Sequence, residues 1–442
     1  RKRGKIILVG VTGLNLNRND FYEKELTFQV SCSYGPGRYD DSYELGGNDY
    51  PFGFVRWTEQ RNFEAVLQLI SEGKINTNAL TTHIIPFHNA KKAYEIIQND
   101  KSSLGVVFDY ERNKKTILSE NSINLKPKKK TIIDAPTIGF IGAGNYASRV
   151  LIPAFSSQKV NLKTLASING RNSAYFGKKF GFNKCTSDLD EIFNDDKIDT
   201  IVIASRHDSH ADLALKSIKS KKNIFLEKPL CLNIGELDKI RSELDKNNEI
   251  SFILGFNRRF SPFTQKIKNL LKKTNSPLSM IMTINAGHIP SEHWTQSPDI
   301  GGGRIIGEAC HFIDLLRFLA NSKISSFGKI AMDSKTNDTL TINLYFENGS
   351  IGTIHYFANG NSKQQKERLE VFSEGRYILL DNFKKLTTYG FKRLRKMPFA
   401  SQNKGQKECV EAFCSSIKNQ SDNPIQLEEI FEVSKISIEL SN

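Results

Sequence analysis

A glycine-rich turn between an apolar strand and a helix constrains this 442-residue chain more than any other feature. The turn follows a strand predicted at Thr137–Ile141 and has the form G-x-G-x-x-A. In such a turn the first glycine permits the tight bend, the second lets the backbone approach a pyrophosphate, and the small last residue lets the helix pack on the strand. The turn therefore predicts a dinucleotide site. Its predicted cofactor-binding residues are Gly142, Gly144, Asn145, Tyr146 and Ala147.

Apolar strands and helical patterns alternate after this turn. Strands are predicted around Leu162–Ile168 and at Thr200–Ala204, Asn223–Leu226 and Phe252–Leu254. Helical patterns such as His210–Ser220 and Ile234–Lys246 separate them. This βαβ repetition predicts a Rossmann-type, doubly wound parallel sheet, in which the loops after the strands meet at one ligand-binding edge.

The pattern changes beyond Phe256. Consecutive strands joined by short turns, such as Glu347-Asn348-Gly349, predict an α+β domain with a largely antiparallel open sheet. The predicted fold class is therefore α/β followed by α+β, after a partial N-terminal α/β dehydrogenase segment. The predicted parts are a segment at 1–110, a basic linker at 111–135, a Rossmann domain at 136–255 and a substrate and oligomerisation domain at 256–442, whose C-terminal helices return to the core.

Charge and composition exclude several classes of protein. The 62 Lys and Arg exceed the 48 Asp and Glu, which gives a net charge of +14. The lysines are spread widely and the basic clusters lack interleaved aromatic residues, so we expect a solvated surface and no nucleic-acid partner. No apolar run is long enough to cross a bilayer. The chain starts at Arg1 and reaches a strand pattern within five residues, so we expect it to begin inside a domain.

The cysteines and histidines do not form a metal-binding pattern. The six cysteines lie far apart without a CxxC pair, which predicts reduced thiols and a cytoplasmic protein. His83 and His88 stand five residues apart across a proline, and no cysteine is near them. We therefore interpret both as structural residues and expect no metal.

The end of the second strand of the Rossmann pattern bears on the choice of cofactor. An acidic residue there typically binds the ribose 2′-hydroxyl of NAD, but Ser167–Asn172 contains no carboxylate. Arg171 suits a 2′-phosphate and favours NADP. Alternatively, Arg171 is a surface residue, and Asn169 or Ser167 binds the ribose of NAD through neutral hydrogen bonds. The cofactor is thus predicted to be NAD or NADP.

Two further strand ends are predicted at the same edge. Ser205, Arg206 and His210 follow the strand at Thr200–Ala204, and Glu227 and Lys228 follow the strand at Asn223–Leu226. We expect these five residues to contact the cofactor. The bond between Lys228 and Pro229 is a candidate for the cis form, because X-Pro bonds adopt it far more readily than others.

Five motifs in this order resemble the Gfo/Idh/MocA oxidoreductase family, from about Thr137 to the C-terminus. They are Gly142–Ala147, His210, Glu227-Lys228-Pro229, Gly255-Phe256-Asn257-Arg258-Arg259-Phe260, and Gly301-Gly302-Gly303 leading to His311-Phe312-Ile313-Asp314. The resemblance implies an NAD(P)-dependent oxidoreductase of sugars, cyclitols or sugar nucleotides, whose open sheet often forms a dimer interface. It therefore also implies a homo-oligomer and a small-molecule partner.

The same resemblance places Lys228 and His311 at the reacting hydroxyl. A histidine suits the removal of a hydroxyl proton, and an ammonium group stabilises a developing alkoxide. Many relatives carry an aspartate four residues before the histidine, but this chain has Gly307 there. We interpret the adjacent Glu308 as a candidate catalytic carboxylate. A shift of one residue rotates it by about 100° on a helix, so a capping or exposed glutamate is an equal alternative.

Several side chains on neighbouring loops are candidates for binding the substrate. Arg258 and Arg259 are suited to bidentate contacts with a phosphate, but each is equally suited to a structural ion pair. His288 and His293 lie on a loop expected near the cleft, and Trp294 is suited to stacking on a sugar ring. The predicted substrate-binding residues are Arg258, Trp294 and His311.

The first 110 residues resemble a different enzyme family. Gly4–Gly13, the helix at Arg61–Ile70 and the segment Ile84–Ile97 resemble the C-terminal end of a zinc-type, medium-chain alcohol dehydrogenase. The metal-binding barrel and glycine turn of that family are missing. The order of the two modules resembles bi-domain oxidoreductases of bacterial polysaccharide clusters.

The leading hypothesis is thus an NAD(P)-dependent oxidoreductase that acts on a secondary hydroxyl or keto group of a sugar or sugar nucleotide, in surface polysaccharide synthesis. One alternative is an NAD-dependent glycosidase of the same fold, which cleaves its substrate without net redox change. Another is a cofactor-binding scaffold that has lost catalysis, an idea favoured by Gly307 and opposed by Lys228 and His311.

Overall fold

The computed structural model describes residues 1–110, 121–125, 132–168, 170–272, 274, 276–334, 336–361, 363–391, 396–398 and 401–441. The chain divides into two units, Arg1–Leu118 and Ser119–Asn442. No helix in the described part is long and apolar enough to span a bilayer.

The described residues of the first unit form two small parallel sheets and four α-helices. Strands β1 and β2 form one sheet, and β3 and β4 form the other. The strands are β1 (Lys5–Leu8), β2 (Thr27–Val30), β3 (Thr81–Pro86) and β4 (Gly105–Asp109), and the helices are α1 (Arg18–Tyr22), α2 (Asp41–Glu44), α3 (Glu59–Ser71) and α4 (Ala90–Asn99). Although α3 is amphipathic in sequence, it has no buried residue. The described part of the unit therefore has little core of its own. The predicted helix at Arg61–Ile70 is present as α3, Glu59–Ser71.

The second unit begins with the predicted Rossmann sheet. Its strand order is β11-β10-β9-β6-β7-β8-β5. The strands are β5 (Ser122–Asn124), β6 (Thr137–Ile141), β7 (Asn161–Ala166), β8 (Lys184–Thr186), β9 (Thr200–Ile203), β10 (Asn223–Leu226) and β11 (Phe252–Leu254). Strands β6 to β11 pair in parallel, and the order reverses between β6 and β9. The carboxyl ends of these two strands therefore flank the crevice where doubly wound sheets bind ligands.

The structure differs from the predicted linker at 111–135. Strand β5 lies in that range and pairs antiparallel with β8, at the edge of the Rossmann sheet. Its three residues are too few for a hydrophobic periodicity, which is why the sequence pattern did not reveal it. Residues 111–120 and 126–131 of the predicted linker lie outside the described residues.

Helices cover the Rossmann sheet and close the chain. They are α5 (Ile152–Ser156), α6 (Gly170–Phe180), α7 (Asp190–Phe193), α8 (His210–Lys219), α9 (Ile234–Asp245), α10 (Pro262–Leu271), α11 (Cys310–Ala320), α12 (Gln406–Asn419) and α13 (Leu427–Ser441). A π-helical turn precedes α5 at Ala147–Leu151 and another precedes α11 at Ile305–Ala309. Helices α12 and α13 pack against α5, α9 and α11. The two C-terminal helices therefore lie against helices of the Rossmann part and of the following domain.

The second sheet has eight strands, in the order β13-β14-β15-β12-β16-β17-β18-β19. They are β12 (Ser279–Asn285), β13 (Ile324–Ala331), β14 (Leu340–Phe346), β15 (Ile351–Phe357), β16 (Glu367–Ser373), β17 (Arg376–Asp381), β18 (Lys385–Tyr389) and β19 (Lys396–Pro398). All neighbours are antiparallel except β12 and β15. Burial alternates along β12, β14 and β15, so one face of the sheet packs on the core and the other is open. The predicted antiparallel open sheet is therefore confirmed.

Candidate functional site

The glycine turn lies at the carboxyl end of β6, beside the loop that follows β9. Gly142 has a φ of +109°, and a Cβ there would lie 2.4 Å from the carbonyl oxygen of Ala204. No residue other than glycine fits this position. A Cβ at Gly144 would meet no atom within 4 Å, so the turn faces open space there, and Ala147 is buried against the core. The open space above Gly144 is the place that a dinucleotide pyrophosphate requires, so the residues fit the cofactor.

The end of β7 carries no carboxylate among its described residues. Arg171 lies exposed in the first turn of α6 and makes no ion pair with any described residue. Asn169, the alternative ribose ligand, lies outside the described residues. Both the NAD and the NADP interpretations therefore stay predictions.

The loop after β9 brings Ser205, Arg206 and His210 to the same edge. His210 is buried, with Nδ1 at 2.7 Å from the Pro229 carbonyl oxygen and Nε2 at 3.3 Å from that of Ser205. Burial lowers the pKa of His210. A neutral ring has one N–H, and the shorter contact assigns it to Nδ1, which donates to the Pro229 carbonyl oxygen. This bond ties the start of α8, after the loop that follows β9, to the loop after β10.

Glu227 and Lys228 follow β10, and the bond between Lys228 and Pro229 is cis. The carboxylate of Glu227 is buried beneath Gly255, where an added Cβ would lie 2.8 Å from it. Burial raises the pKa of Glu227 to about 7, although Lys228 and a hydrogen bond with Tyr146 oppose this shift. Tyr146 belongs to the glycine turn, so the turn and the Glu-Lys-Pro segment meet through this pair.

Lys228 is hydrogen-bonded to the helical turn Ile305–Ala309, which leads directly to His311. The Nζ of Lys228 donates a hydrogen bond to the carbonyl oxygen of Gly307, four residues before His311. His311 is buried, and its Nδ1 has no hydrogen-bond partner among the described residues. Burial and the charges of Arg258 and Lys228 hold the pKa of His311 well below its usual range. The imidazole is thus uncharged and lies near a fixed ammonium group.

Glu308 takes part in a different network. Its carboxylate accepts from Arg304 at 2.9 Å, Lys366 at 2.5 Å and Tyr356 at 2.5 Å. Burial opposes the ionisation of Glu308, but the charges of Lys366 and Arg304 and the hydrogen bond from Tyr356 outweigh it and lower the pKa of Glu308. An ionised carboxylate with three donors is a poor proton acceptor. The geometry thus favours a structural role, and a catalytic role for Glu308 stays an untested prediction.

The two arginines of the predicted substrate site both form buried ion pairs. Arg258 contacts both carboxylate oxygens of Glu367, at 3.0 and 2.9 Å, through Nε and Nη2. Arg259 pairs with Asp314 and with Glu429, the latter at 2.6 Å. These contacts favour the structural alternative for Arg259. The charge of Arg258 reaches His311 and Tyr146 electrostatically, so Arg258 lies beside the site while Glu367 holds it.

Trp294 packs against the loop after β9. The guanidinium carbon of Arg206 lies 5.6 Å from the centre of the Trp294 ring, and the His207 ring lies 5.0 Å from it, edge to face. A sugar ring can therefore stack only on the part of the indole that Arg206 and His207 do not cover. His288, in contrast, lines a separate cavity of about 450 Å³ next to the second sheet.

Sequence reasoning missed several residues that build the site. His207 contacts Trp294, Glu367 holds Arg258 and Lys404 contacts Glu367 at 2.7 Å. His207 stands three residues before His210, which is predicted to contact the cofactor. This closeness in sequence could have identified it as a site residue. Glu367 and Lys404 lie more than 100 residues from Arg258 along the chain, so no local pattern identifies them. Among the described residues, no group of three or more His, Cys, Asp and Glu side chains is arranged to hold a metal ion.

Comparison with known families covers both domains of the second unit. Residues 137–256 match the GFO/IDH/MocA oxidoreductase family, described as an NAD-binding Rossmann fold. Residues 277–378 match the GFO/IDH/MocA C-terminal domain, so that the two matches together cover half of the chain. The chain therefore belongs to the GFO/IDH/MocA oxidoreductase family. Its Rossmann domain is of the NAD-binding type.

Relatives in the GFO/IDH/MocA family include dehydrogenases of cyclic polyols. The chain is 27% identical to a myo-inositol 2-dehydrogenase of Thermotoga maritima over 48% of this chain and 64% of the relative. It is 27% identical to a levoglucosan dehydrogenase of Pseudarthrobacter phenanthrenivorans, over 41% of this chain and 49% of the relative. The chain thus spans less than two-thirds of the length of either relative in these alignments.

Solved structures show the same GFO/IDH/MocA fold. A levoglucosan dehydrogenase in complex with NADH and levoglucosan superimposes with a TM-score of 0.62 at 18% identity, over 69% of this chain and 96% of that chain. A second structure, an oxidoreductase domain protein from Kribbella flavida, gives a TM-score of 0.62 at 17% identity, over 70% of this chain and 96% of that one. At these identities the likeness establishes the fold.

Proposed function

We propose that the second unit is an NAD(P)-dependent oxidoreductase that acts on a secondary hydroxyl or keto group of a cyclic polyol or sugar. The observation that carries the proposal is the pairing of Lys228 and His311. Lys228 is held at the Gly307 carbonyl oxygen, and the neutral ring of His311 has a buried Nδ1 without a partner. Such a pair supplies an ammonium group and a neutral imidazole close enough for the charge of Lys228 to act on the ring of His311.

The chain's residues have distinct tasks in this reaction. The backbone at Gly142–Ala147 binds the pyrophosphate, and Lys228 orients the substrate hydroxyl and stabilises the alkoxide that develops there. His311 removes the hydroxyl proton in oxidation and returns it in reduction. NAD(P), when bound, accepts or supplies the hydride. His210 keeps the two strand-end loops together while this happens.

The substrate class follows from the relatives and from the ordered motifs. Several matched proteins are named dehydrogenases of inositol or levoglucosan, which are compact molecules rich in hydroxyl groups. We extend the proposal to sugar nucleotides and to surface polysaccharide synthesis, on the resemblance of the first 110 residues to the medium-chain dehydrogenase part of bi-domain oxidoreductases. Within that proposal the protein acts in the cytoplasm.

We also propose that the second unit forms a homo-oligomer through its open sheet. Large apolar side chains are exposed on several strands of that sheet, which supports burial against a second copy. They are Tyr345, Ile351, Phe357, Phe372 and Tyr389.

The test is a redox assay at 340 nm with a panel of substrates. The panel contains myo-inositol, scyllo-inositol, levoglucosan and sugar nucleotides, each with NAD and with NADP. We expect net formation of reduced cofactor with at least one of them. Release of a sugar without net redox change would favour the glycosidase alternative, and tight cofactor binding without turnover would favour the scaffold alternative.

A further inference from the structure

His207 is a buried histidine that the proposed mechanism does not use. It opens the turn His207–Ser209 after β9 and is 8% exposed. Its Nδ1 lies 2.8 Å from the carbonyl oxygen of Gly301, in the triple-glycine segment. A carbonyl oxygen only accepts hydrogen bonds, so Nδ1 must carry the proton. His207 therefore joins the loop after β9 to the loop that precedes His311.

The protonation state of this ring follows from its surroundings. Burial, reinforced by the charge of Lys228, lowers the pKa of His207 to about 3. The ring is thus neutral at physiological pH, with one proton, on Nδ1. Nε2 then carries a lone pair and acts only as a hydrogen-bond acceptor.

The Nε2 atom of His207 is available for a ligand. It makes no hydrogen bond with the described residues. A polar atom that has no partner is either buried or exposed, and this atom is not one of the buried ones, so it is accessible to solvent. Gly307 and Trp294 flank the ring, and Gly307 is also the residue whose carbonyl oxygen holds Lys228. The accessible atom therefore lies near Lys228, whose charge reaches the ring, and we call the space beside these two groups the cleft.

We propose that His207 Nε2 accepts a hydrogen bond from a hydroxyl group of the substrate other than the one that reacts. This inference rests on the proposed function and adds a residue that determines specificity. Within the cleft, Lys228 offers donors only, whereas His207 offers an acceptor only. The pair therefore favours a substrate with at least two hydroxyl groups and disfavours one that presents a carboxylate or phosphate oxygen to His207.

Two substitutions separate the two nitrogen atoms of the ring. In His207→Asn the amide nitrogen takes the approximate place of Nδ1, so the bond to the Gly301 carbonyl is kept and the acceptor is lost. In His207→Gln the terminal amide lies near the place of Nε2, so an acceptor is restored. His355→Asn is the matched control, because His355 bonds Thr341 across two strands of the second sheet.

The decisive experiment combines these variants with substrates that lack one hydroxyl group at a time. We expect His207→Asn to lower kcat/KM for the full polyol by about fivefold to tenfold, mostly through KM, the worth of one neutral hydrogen bond. For one monodeoxy polyol, the unsubstituted chain should show the same reduction in kcat/KM relative to the full polyol. With that substrate, His207→Asn should cause no further reduction. His207→Gln should restore part of the activity, and His355→Asn should change neither constant.

The tautomer of the ring is a second readout, which needs no turnover. In spectra of the chain labelled with ¹⁵N-histidine, the signals lost in His207→Asn should be those of a neutral ring protonated at Nδ1. A ring protonated at Nε2 would overturn the inference. The inference would also be overturned if every deoxy substrate lowered kcat/KM equally in the unsubstituted chain and in His207→Asn. If the unsubstituted chain oxidises none of the polyols, the proposed function itself fails, a result distinct from turnover without coupling to His207.

Discussion

The Nζ of Lys228 donates a hydrogen bond to the carbonyl oxygen of Gly307. The main chain thus holds the ammonium group beside the helical turn that leads to His311. Burial lowers the pKa of both His207 and His311, and the charge of Lys228, which a carbonyl oxygen does not neutralise, lowers both further. This arrangement keeps both imidazoles neutral and leaves the ammonium free to stabilise a negative oxygen.

Removal of either member of the proposed catalytic pair should abolish most of the activity. For Lys228→Ala and for His311→Ala we expect kcat to fall at least about a hundredfold, since each loses charge stabilisation or proton transfer in the transition state. The dissociation constant of NADH, measured by fluorescence, should change little. Lys219→Ala, on the exposed side of α8, is the control. Full turnover by either site variant would contradict the assignment.

A second prediction concerns the space between Gly307 and His207. A Cβ at Gly307 would lie 3.1 Å from Cε1 of His207, whose ring is buried and bonded to Gly301. Gly307→Ala should therefore lower the free energy of unfolding by about 1–3 kcal/mol. In the His207→Asn background that ring is absent, and the same change should be neutral or stabilising, because alanine favours a helical backbone. Equal losses in both backgrounds, measured by urea unfolding, would contradict the contact.

Glu227 gives the stability of the protein a defined pH dependence. Burial raises its pKa to about 7, above the ordinary value of 4.5, so between these values the native state holds more protons than the unfolded state. Its contribution is complete below pH 4.5 and is lost as the pH rises through 7. Glu227→Gln removes this dependence, so relative to the unsubstituted chain it should gain up to about 3 kcal/mol between pH 5 and pH 8.

Unfolding free energies of both chains at pH 5, 6, 7 and 8 provide the measurement. Asp208→Asn serves as the matched carboxylate-to-amide control, because Asp208 lies exposed in the loop after β9. Parallel pH curves for Glu227→Gln and the unsubstituted chain would show that Glu227 does not titrate in this range.

The ion pair of Arg258 and Glu367 provides a fourth prediction. Burial opposes the ionisation of Glu367, but Arg258 and Lys404 outweigh it and lower its pKa to about 2. Arg258→Met leaves this buried carboxylate with Lys404 alone, and we expect a loss of about 3–5 kcal/mol in unfolding free energy. The double variant Arg258→Met, Glu367→Leu should recover part of it. Recovery of stability without recovery of KM would then support substrate binding by Arg258, whereas recovery of both would assign it a structural role only.

The sequence allowed the Rossmann domain to be predicted because its elements are local. The strand, the glycine turn and the helix at Thr137–Leu151 follow one another along the chain, so their hydrophobic period and glycine spacing can be read from the sequence. The glycine at position 142 is required because the end of the neighbouring parallel strand lies against it. Lys228 and His311 are predicted as site residues because each stands in a motif. The partner of Lys228 is a main-chain atom, which no side-chain pattern indicates. Glu308 is a candidate only because it is adjacent to Gly307, whereas Tyr356 on β15 and Lys366, just before β16, decide where its carboxylate lies.

The cofactor preference depends on Arg171, and this gives a last prediction. Arg171 is exposed in the first turn of α6 and has no ion-pair partner among the described residues, so its guanidinium is free to meet a 2′-phosphate. Arg171→Asp should lower the ratio of kcat/KM for NADP to that for NAD by at least about tenfold, because the change removes an attractive charge and adds a repulsive one. Lys178→Asp, two turns along the same helix, makes the same change of charge away from the strand end. If both variants shift the ratio equally, the preference reflects the general field of the basic surface; if neither does, the adenosine ribose is bound by neutral hydrogen bonds, as NAD requires.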